Sequence, residues 1–483
     1  MKIQCLKIFL LPALAIILAG CKSAYPNDAA SFRESFESGK LTEAVEIAKN
    51  LQSKTDETTL VWTLELASAQ RLAGDTNGSI KSFEAAEEML KSIDAMPDYS
   101  LSGEGLSTFS NPYQLTYRGR NLDRIFASTY HALACIDSGD PEKARVSMSR
   151  SLFRIDDAKR IARDRSGIQS SEEYQIKSED TQFTARLYSN DVSEAQSAVQ
   201  YRFLSVPVYA NAMNPFAVWL HGIYFLHTAE SPSDLEISRK SLQVAAAVAP
   251  SNRAIAEDLA LASNGSTRPD PGADKTIVYI IHESGVVPYW SERIITLPLI
   301  YADPRAPIVN IALPEITPSA ISLPGIEVMT AAGSKVTTTT LANVDGIVLS
   351  EFKEEYPIAR NRAIASSTMK AVAGYIANRA AQEHARRNQN NNGAQFAMLA
   401  TLIATNAYSL NSAQADLRSW TSLPKEVEMA RLVASRGSQI KLTGGTIVGS
   451  HTCSLPTAKS VIVTIRSVAP GTPAVIRTSI LQK

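Results

Sequence analysis

The sequence predicts a multidomain protein in which an all-α, tetratricopeptide-like helical repeat region is followed by an α+β domain. Three observations support this fold class. Apolar residues recur at helical spacing, with repeated Gly-Asp turns, through residues 31–265. The run Ser263–Ala273, which contains Ser, Gly, Asn and Pro, then predicts a linker at residues 266–274. After it, residues 275–483 alternate β-forming runs with helical segments, as in an α+β domain.

The repeat region is predicted from turns that return at a nearly constant interval. Gly39-Lys40 and Gly74-Asp75 are 35 residues apart, close to the tetratricopeptide period of about 34 residues. A third copy is Gly139-Asp140, and a weaker fourth is Ser233-Asp234. In the two Gly-Asp turns the Gly suits a left-handed C-cap and the Asp suits an N-cap. The alternative is a non-repetitive helical bundle, which shares these features.

Two polar stretches within the repeat region are predicted to be insertions. Residues 100–112 are rich in Ser, Gly, Asn and Pro and predict a surface loop, and residues 166–190 are a second polar stretch. Loops on one face of a helical solenoid often form its binding surface.

The first twenty residues predict an export signal. Lys2 and Lys7 give a positive start, and Ile8–Leu18 is an uncharged apolar core of 11 residues. Such a core is too short to span a bilayer of about 30 Å as a helix, but it suits a signal peptide. We therefore assign residues 1–20 as a signal peptide and residues 21–30 as a tether.

The end of this signal resembles the cleavage box of bacterial lipoprotein precursors, formed here by Leu18, Ala19, Gly20 and Cys21. The resemblance implies that Cys21 is lipidated and begins the mature chain, which anchors it stably to a membrane. Lys22 follows in place of the Asp that retains such proteins at the inner membrane, so we expect a periplasm-facing protein on the outer membrane. The alternatives are a plain secretory signal with a chance Cys, or a wrongly assigned start site.

Charge and cysteine content exclude several classes of protein. The 483 residues contain 48 basic and 48 acidic side chains, so a whole-chain nucleic-acid binder is not expected. Residues 21–272 contain 26 basic and 34 acidic side chains, whereas residues 273–483 contain 20 and 14. The first segment is therefore net acidic and the second net basic, and these opposite charges permit docking of the two halves onto each other or onto separate partners. With Cys21 lipidated, only Cys135 and Cys453 remain in the mature body, and we do not expect them to pair.

The second domain is predicted to be a sheet covered on one face by helices. Strands are predicted at Thr276–His282, Ile308–Pro314, Gly325–Thr330, Lys335–Leu341, Ser460–Arg466 and Ala474–Ile480, the last two as a hairpin. Helices are predicted at Ile358–Arg387, Ala394–Leu410 and Lys425–Ala434. Within the second of these, Phe396–Ala407 is apolar enough to predict a buried helix.

Several short segments resemble an uncharacterised family of bacterial lipoproteins with a tetratricopeptide-like helical front half. They are Tyr117–Gly119, Tyr130–Leu133, Gly139-Asp140, Ala144–Val146, Glu283–Gly285 with Pro288 and Arg293-Ile294, and Ala415–Trp420 with Leu423-Pro424. The resemblance covers most of the mature chain and implies a location and an architecture without an activity. Genes of this family often lie beside those for lipoprotein activators of penicillin-binding proteins, which implies a role in cell-wall assembly.

Catalytic chemistry has few candidate residues. His282 and Glu283 lie at the end of a predicted strand, where we expect a turn leading into a loop. Because adjacent side chains diverge on an extended chain, these neighbours cannot form a catalytic triad by themselves. His451 lies near the Cys453 thiol, the minimum for a cysteine nucleophile. No hydrolase, zinc-protease or nucleotide-binding motif supports either pair, and the six histidines are scattered. We expect neither a metal nor another cofactor.

The most distinctive short segment contains Asp416, Arg418 and Trp420. We expect it to form a structural corner between two helices with the indole buried; the alternative is an aromatic platform that faces a ligand. The basic side chains Arg379, Arg386 and Arg387 on one predicted helix are expected to form a solvated face. Their alternative is docking to lipid headgroups or glycan.

The sequence therefore predicts a non-enzymatic lipoprotein that binds envelope proteins as an interaction scaffold in cell-envelope or cell-wall assembly. One alternative is an envelope hydrolase or transferase with a site around His282, Glu283 or Cys453. Another is a glycan- or lipid-binding module in the second domain.

Overall fold

A computed structural model describes residues 23–96, 112–168, 214–250, 252–264, 267–298, 307–320, 322–444 and 449–483. The predicted signal peptide, Cys21, nearly all of the predicted loop 100–112 and most of the segment 166–190 lie outside these residues. Among the helices of the described part, none combines the length and the apolar character that a membrane span requires.

The first half of the chain is helical, as predicted. Its helices are α1 (Tyr25–Glu37), α2 (Leu41–Gln52), α3 (Thr59–Ala73), α4 (Thr76–Asp94), α5 (Asn121–Ser138), α6 (Pro141–Ile168), α7 (Pro215–Thr228), α8 (Pro232–Val248) and α9 (Arg253–Asn264). A 3₁₀ turn at Pro112–Gln114 precedes α5. The predicted tether is therefore wrong at residues 25–30, because α1 already begins at Tyr25. The helix is stabilised there by the burial of Tyr25 and Phe32.

The predicted turn chemistry is present between consecutive helices. Gly74 ends α3 with φ +95°, a conformation that a residue with a Cβ rarely adopts. Asp75 then caps α4, where its carboxylate accepts the Gly78 N–H at 2.8 Å. Five residues after the turn, the small Ser79 is fully buried and donates its hydroxyl to the Ala67 carbonyl of α3 at 2.8 Å. Small residues at this position therefore allow the paired helices to pack closely.

Beyond the linker, the chain forms β1 (Lys275–Ser284), β2 (Tyr289–Pro298), β3 (Ile308–Thr317), β4 (Glu327–Thr330), β5 (Lys335–Thr337), β6 (Thr339–Asn343), α10 (Val344–Arg387), α11 (Asn392–Ser412), β7 (Glu426–Ser435), β8 (Gln439–Gly444), β9 (Gly449–Ser454), β10 (Ser460–Ser467) and β11 (Val475–Gln482). The strands form a five-stranded sheet of order β11-β10-β1-β7-β6, a four-stranded sheet of order β5-β4-β8-β9, and the β2-β3 pair. The predicted β10–β11 hairpin is confirmed.

The central strand β1 is parallel to β10 and antiparallel to β7. The predicted helix Lys425–Ala434 is wrong, because residues 426–435 form strand β7 between β1 and β6. Consecutive residues 427–430 of β7 are all buried. A strand covered on both faces loses the alternation of polar and apolar residues that distinguishes a strand from a helix.

The five-stranded sheet lies between the helical half and the four-stranded sheet. One face of β1 carries Ile277, Tyr279 and Ile281, which belong to the same hydrophobic core as the helices of the first half. The other face carries Val278 and Ile280, which pack with the four-stranded sheet. The sheet is therefore covered by helices on one face, as predicted, but these come from the first half of the chain. The two halves share one continuous core.

The helices of the second half form an antiparallel hairpin, α10 with α11, that packs against β3. Helix α10 contains 44 residues, which corresponds to a length of about 66 Å. The predicted start at Ile358 is wrong, since the helix begins at Val344 with Asn343 as its cap and continues through Pro357. The prediction of a buried helix at Phe396–Ala407 is also wrong: the segment is helical, but Phe396 is 68% exposed and Ile403 is 62% exposed.

Candidate functional site

The segment that contains Asp416, Arg418 and Trp420 connects α11 to β7 and packs against the helical half. Trp420 is 1% exposed, and its Nε1 donates to the Ser68 hydroxyl of α3 at 3.0 Å. The indole is therefore buried, as we predicted. The corner it stabilises joins a helix to a strand, however, and not two helices, because β7 is a strand.

Arg418 links this segment to the backbone of the first half. Its guanidinium holds Asp416 in a two-pronged ion pair, with Nε–Oδ1 at 2.9 Å and Nη2–Oδ2 at 2.7 Å. It also donates to the carbonyls of Leu115 at 2.7 Å, Pro112 at 3.1 Å and Glu57 at 3.1 Å. Burial raises the pKa of Asp416, but the adjacent Arg418 charge lowers that pKa below its usual value. The pair therefore works as a structural clamp.

Glu65 of α3 completes the clamp from the helical side. One carboxylate oxygen accepts the Thr421 N–H at 2.6 Å and the Thr421 hydroxyl at 2.7 Å, and the other accepts the Ser422 N–H at 3.2 Å. Burial raises the pKa of Glu65 to about 7, although these hydrogen bonds act in the opposite direction. This carboxylate was missed by the sequence analysis, because a Glu in an amphipathic helix is usually solvated.

Strand β1 extends to Ser284, two residues beyond the predicted end, so His282 and Glu283 lie within the strand and the turn that we predicted there is wrong. The imidazole is fully buried: its Nδ1 is 2.7 Å from Glu428 Oε2 and its Nε2 is 2.7 Å from Ser467 Oγ. Carboxylate, imidazole and hydroxyl occur in the order of a serine hydrolase triad. The Ser467 side chain is, however, 0% exposed, so its hydroxyl connects β10 to β1 inside the core. Only the strand pairing brings Glu428 and Ser467 to His282, and no sequence pattern indicated either residue.

Glu283 points to the opposite face of β1, toward the helical half. It is 1% exposed, and its carboxylate lies 3.4 Å from the Arg71 guanidinium of α3. Arg466 of β10 donates to the Glu283 carbonyl at 3.2 Å. His282 and Glu283, neighbours in sequence, therefore belong to two separate buried networks on the two faces of the sheet.

The remaining candidates are not brought together into a site. The Cys453 thiol is buried and lies 3.0 Å from the Thr478 hydroxyl, whereas His451 is exposed. Cys135 and Cys453 are both free. Arg379, Arg386 and Arg387 are exposed on α10. Arg386 and Arg387 lie in its last turn, where cations complement the helix dipole. No group of three or more His, Cys, Asp or Glu side chains in the described part of the chain is arranged to hold a metal ion.

A cavity of about 360 Å³ lies where the two halves meet, and no sequence motif predicted it. Its walls are the segment 112–120 of the helical half, strands β2 and β3, α10, and the chain that follows α11. Asp416 and Arg418 line it, together with Arg120, whose guanidinium lies 3.8 Å from the centre of the Trp290 ring.

A second unpredicted feature is an apolar face on the hairpin of α10 and α11. We call it the hairpin face. It consists of the exposed side chains Phe396 (68%), Leu399 (53%), Ile403 (62%) and Leu410 (37%) of α11. On α11 these residues recur at spacings of three, four and seven, so they form one stripe along the helix.

Comparisons with known proteins give no match: no protein-family model, no curated protein and no solved structure is significantly similar to this chain.

Proposed function

We propose that this protein is a lipid-anchored, periplasm-facing outer-membrane lipoprotein that acts as a protein–protein interaction scaffold in cell-envelope or cell-wall assembly. The signal segment ending in Cys21 supports the anchor, and the lipoprotein resemblance supports the process. We further propose that the helical half is tetratricopeptide-like, since the Gly74-Asp75 and Gly139-Asp140 turns end and begin helices at the predicted positions.

The observation that carries the scaffold proposal is the hairpin face. Its four side chains expose roughly 400 Å², which lies within the range of about 300–600 Å² for the largest apolar patch on a typical monomer. A standard protein–protein interface covers about 800 Å² on each partner. Helix α11 also contains no charged residue. An uncharged apolar helix of this kind is normally covered, and within the described residues this chain does not cover it.

The occupant that fits this face best is an amphipathic helix of another envelope protein. A single helix laid along α11 would place its apolar positions against the stripe. The closed end of the hairpin is basic, with His384, Arg386 and Arg387 in the last turn of α10. We therefore expect the partner helix to carry acidic residues beyond its apolar face, at the end that lies near these cations.

The enzyme alternative receives no support from the positions of its candidate residues. His282 and Glu283 are buried in separate networks, and the Cys453 thiol contacts a threonine hydroxyl. Alanine substitution of these three residues provides its test. Retained function in cells would remove the alternative, whereas loss of function in a variant that still folds would favour it.

The scaffold proposal is tested by site-specific photocrosslinking in cells. The photoreactive residue replaces Phe396 on the hairpin face, and the matched control replaces Phe153 on α6, which is 69% exposed. We expect an adduct with one envelope protein from position 396 and none from position 153, with the crosslinked peptide in an amphipathic helix. Equal adducts at both positions, no adduct, or adducts only with a second copy of this chain would contradict the proposal.

The anchor is tested separately. A Cys21→Ser variant is expected to leave the membrane fraction and appear in the soluble periplasmic fraction. Retention of this variant in the membrane would contradict lipidation at Cys21 and would leave the hairpin experiment unaffected.

A further inference from the structure

The cavity between the two halves contains a buried cation that has no counterion. Lys370 of α10 is 7% exposed. Its Nζ donates to the Ser412 carbonyl at 3.0 Å, and no carboxylate of the described residues lies within ion-pair distance. Burial lowers the pKa of this ammonium to about 8, so it remains largely protonated at neutral pH. A buried charge without a partner is costly, and structures normally satisfy it with an opposite charge.

A second cation on the same wall is also uncompensated. Arg362 lies eight residues before Lys370 on α10, lines the cavity and is exposed. It forms no ion pair with any described residue. The other side of the cavity differs, because Arg120 pairs with Glu355 at 3.4 Å and Arg418 pairs with Asp416 at 2.7 Å. A further lining cation, Arg118, belongs to the segment 112–120 on that other side. Lys370 and Arg362 are the lining cations of α10 that form no ion pair with a described residue.

The rest of the lining is largely apolar. Trp290, Ala312, Pro314 and Ile358 contribute an indole, a methyl group, a proline ring and an aliphatic side chain. A volume of about 360 Å³ lies within the range of small-molecule sites, about 300–1,000 Å³. The two carboxylates of the lining, Glu355 and Asp416, disfavour a ligand with several negative charges. These features together favour a ligand with one anionic group and an apolar body.

We propose that this cavity is a binding site for an organic carboxylate whose anionic group pairs with Lys370 and Arg362 and whose apolar or aromatic body packs near Trp290. The carboxylate belongs either to a free small acid or to the C-terminus of a peptide. This site is distinct from the hairpin face, and neither proposal depends on the other.

The test is isothermal titration of the full chain, purified in a mild non-ionic detergent. The probes are 4-phenylbutyrate, its neutral amide, and a pentapeptide that ends in phenylalanine with either a free carboxylate or an amidated terminus. We expect saturable binding of at least one acid and binding of its amide that is weaker by about 10- to 100-fold, the usual effect of losing a charge-assisted hydrogen bond. The two acids distinguish a free small molecule from a peptide terminus.

Three variants assign the effect to the proposed residues. Lys370→Met and Arg362→Met are each expected to weaken binding of the acid about tenfold or more. Arg379→Met, on the same helix but outside the cavity lining, is expected to bind like the original chain. Arg362 is exposed, so its variant tests the site even if Lys370→Met alters folding. The proposal is overturned if neither acid binds saturably up to about millimolar concentration, if acid and amide bind equally, or if both cavity variants retain full affinity.

Discussion

Replacing Arg418 by Met is expected to destabilise the whole protein strongly, because this guanidinium connects the two halves. The variant loses three hydrogen bonds to the carbonyls of Leu115, Pro112 and Glu57. At about 1–1.5 kcal/mol for each bond, the loss amounts to about 3–4.5 kcal/mol of unfolding free energy. The Asp416 carboxylate left behind is 36% exposed, so water solvates it partly and we add nothing for it.

The assay is urea unfolding, followed by far-UV circular dichroism and by tryptophan fluorescence. Because the two halves share one core, we expect a single transition with both probes in the original chain. The matched control is Arg379→Met, which removes an exposed guanidinium paired with Glu383 at 3.1 Å and should cost less than about 0.5 kcal/mol. If Arg418→Met and Arg379→Met destabilise equally, or if the halves unfold in separate transitions, the reasoning is wrong.

Two further predictions concern stability. Burial raises the pKa of Glu65 from 4.5 to about 7 in the folded state. Its contribution to the stability of the fold is therefore complete at low pH and is lost as the pH rises through 7. Relative to Glu65→Gln, the unfolding free energy of the original chain should therefore fall by about 3 kcal/mol between about pH 4 and pH 8. Urea unfolding measures this difference, and parallel pH profiles of the two proteins would refute the prediction. Gly285→Ala should cost more than Gly139→Ala, because both have positive φ but only the Gly285 Cβ would lie 2.9 Å from a backbone oxygen. In thermal unfolding we expect Gly139→Ala to lose about 1 kcal/mol of unfolding free energy and Gly285→Ala to lose at least twice that. Equal losses would contradict the packing argument.

The parts of the fold that the sequence predicts correctly are those determined locally. The Gly74-Asp75 turn depends on a left-handed backbone and a nearby carboxylate, and both are visible in two adjacent residues. The β10–β11 hairpin has two β-branched runs on either side of Pro470-Gly471, which mark its turn. Such features need no knowledge of the rest of the chain.

The errors concern residues whose environment is supplied by distant segments. Strand β7 is covered on both faces by elements far away in sequence, so its own pattern did not distinguish strand from helix. Phe396 was predicted to be buried because it is apolar, but no other part of the described chain covers α11 there. The cavity around Lys370 was also invisible, since segments near residues 115, 290, 370 and 415 form it together. Long-range packing therefore determines the candidate site, and local sequence does not encode it.

The most direct test of the scaffold proposal is the affinity of the partner for an Ile403→Glu variant, with Phe153→Glu as the matched control. Ile403 is 62% exposed, so the substitution should change the unfolding free energy by less than about 0.5 kcal/mol. We predict that the protein crosslinked at position 396 binds Ile403→Glu at least about tenfold more weakly than it binds the control, as expected when a charge enters an apolar interface. Unchanged affinity of Ile403→Glu for that protein would contradict the account.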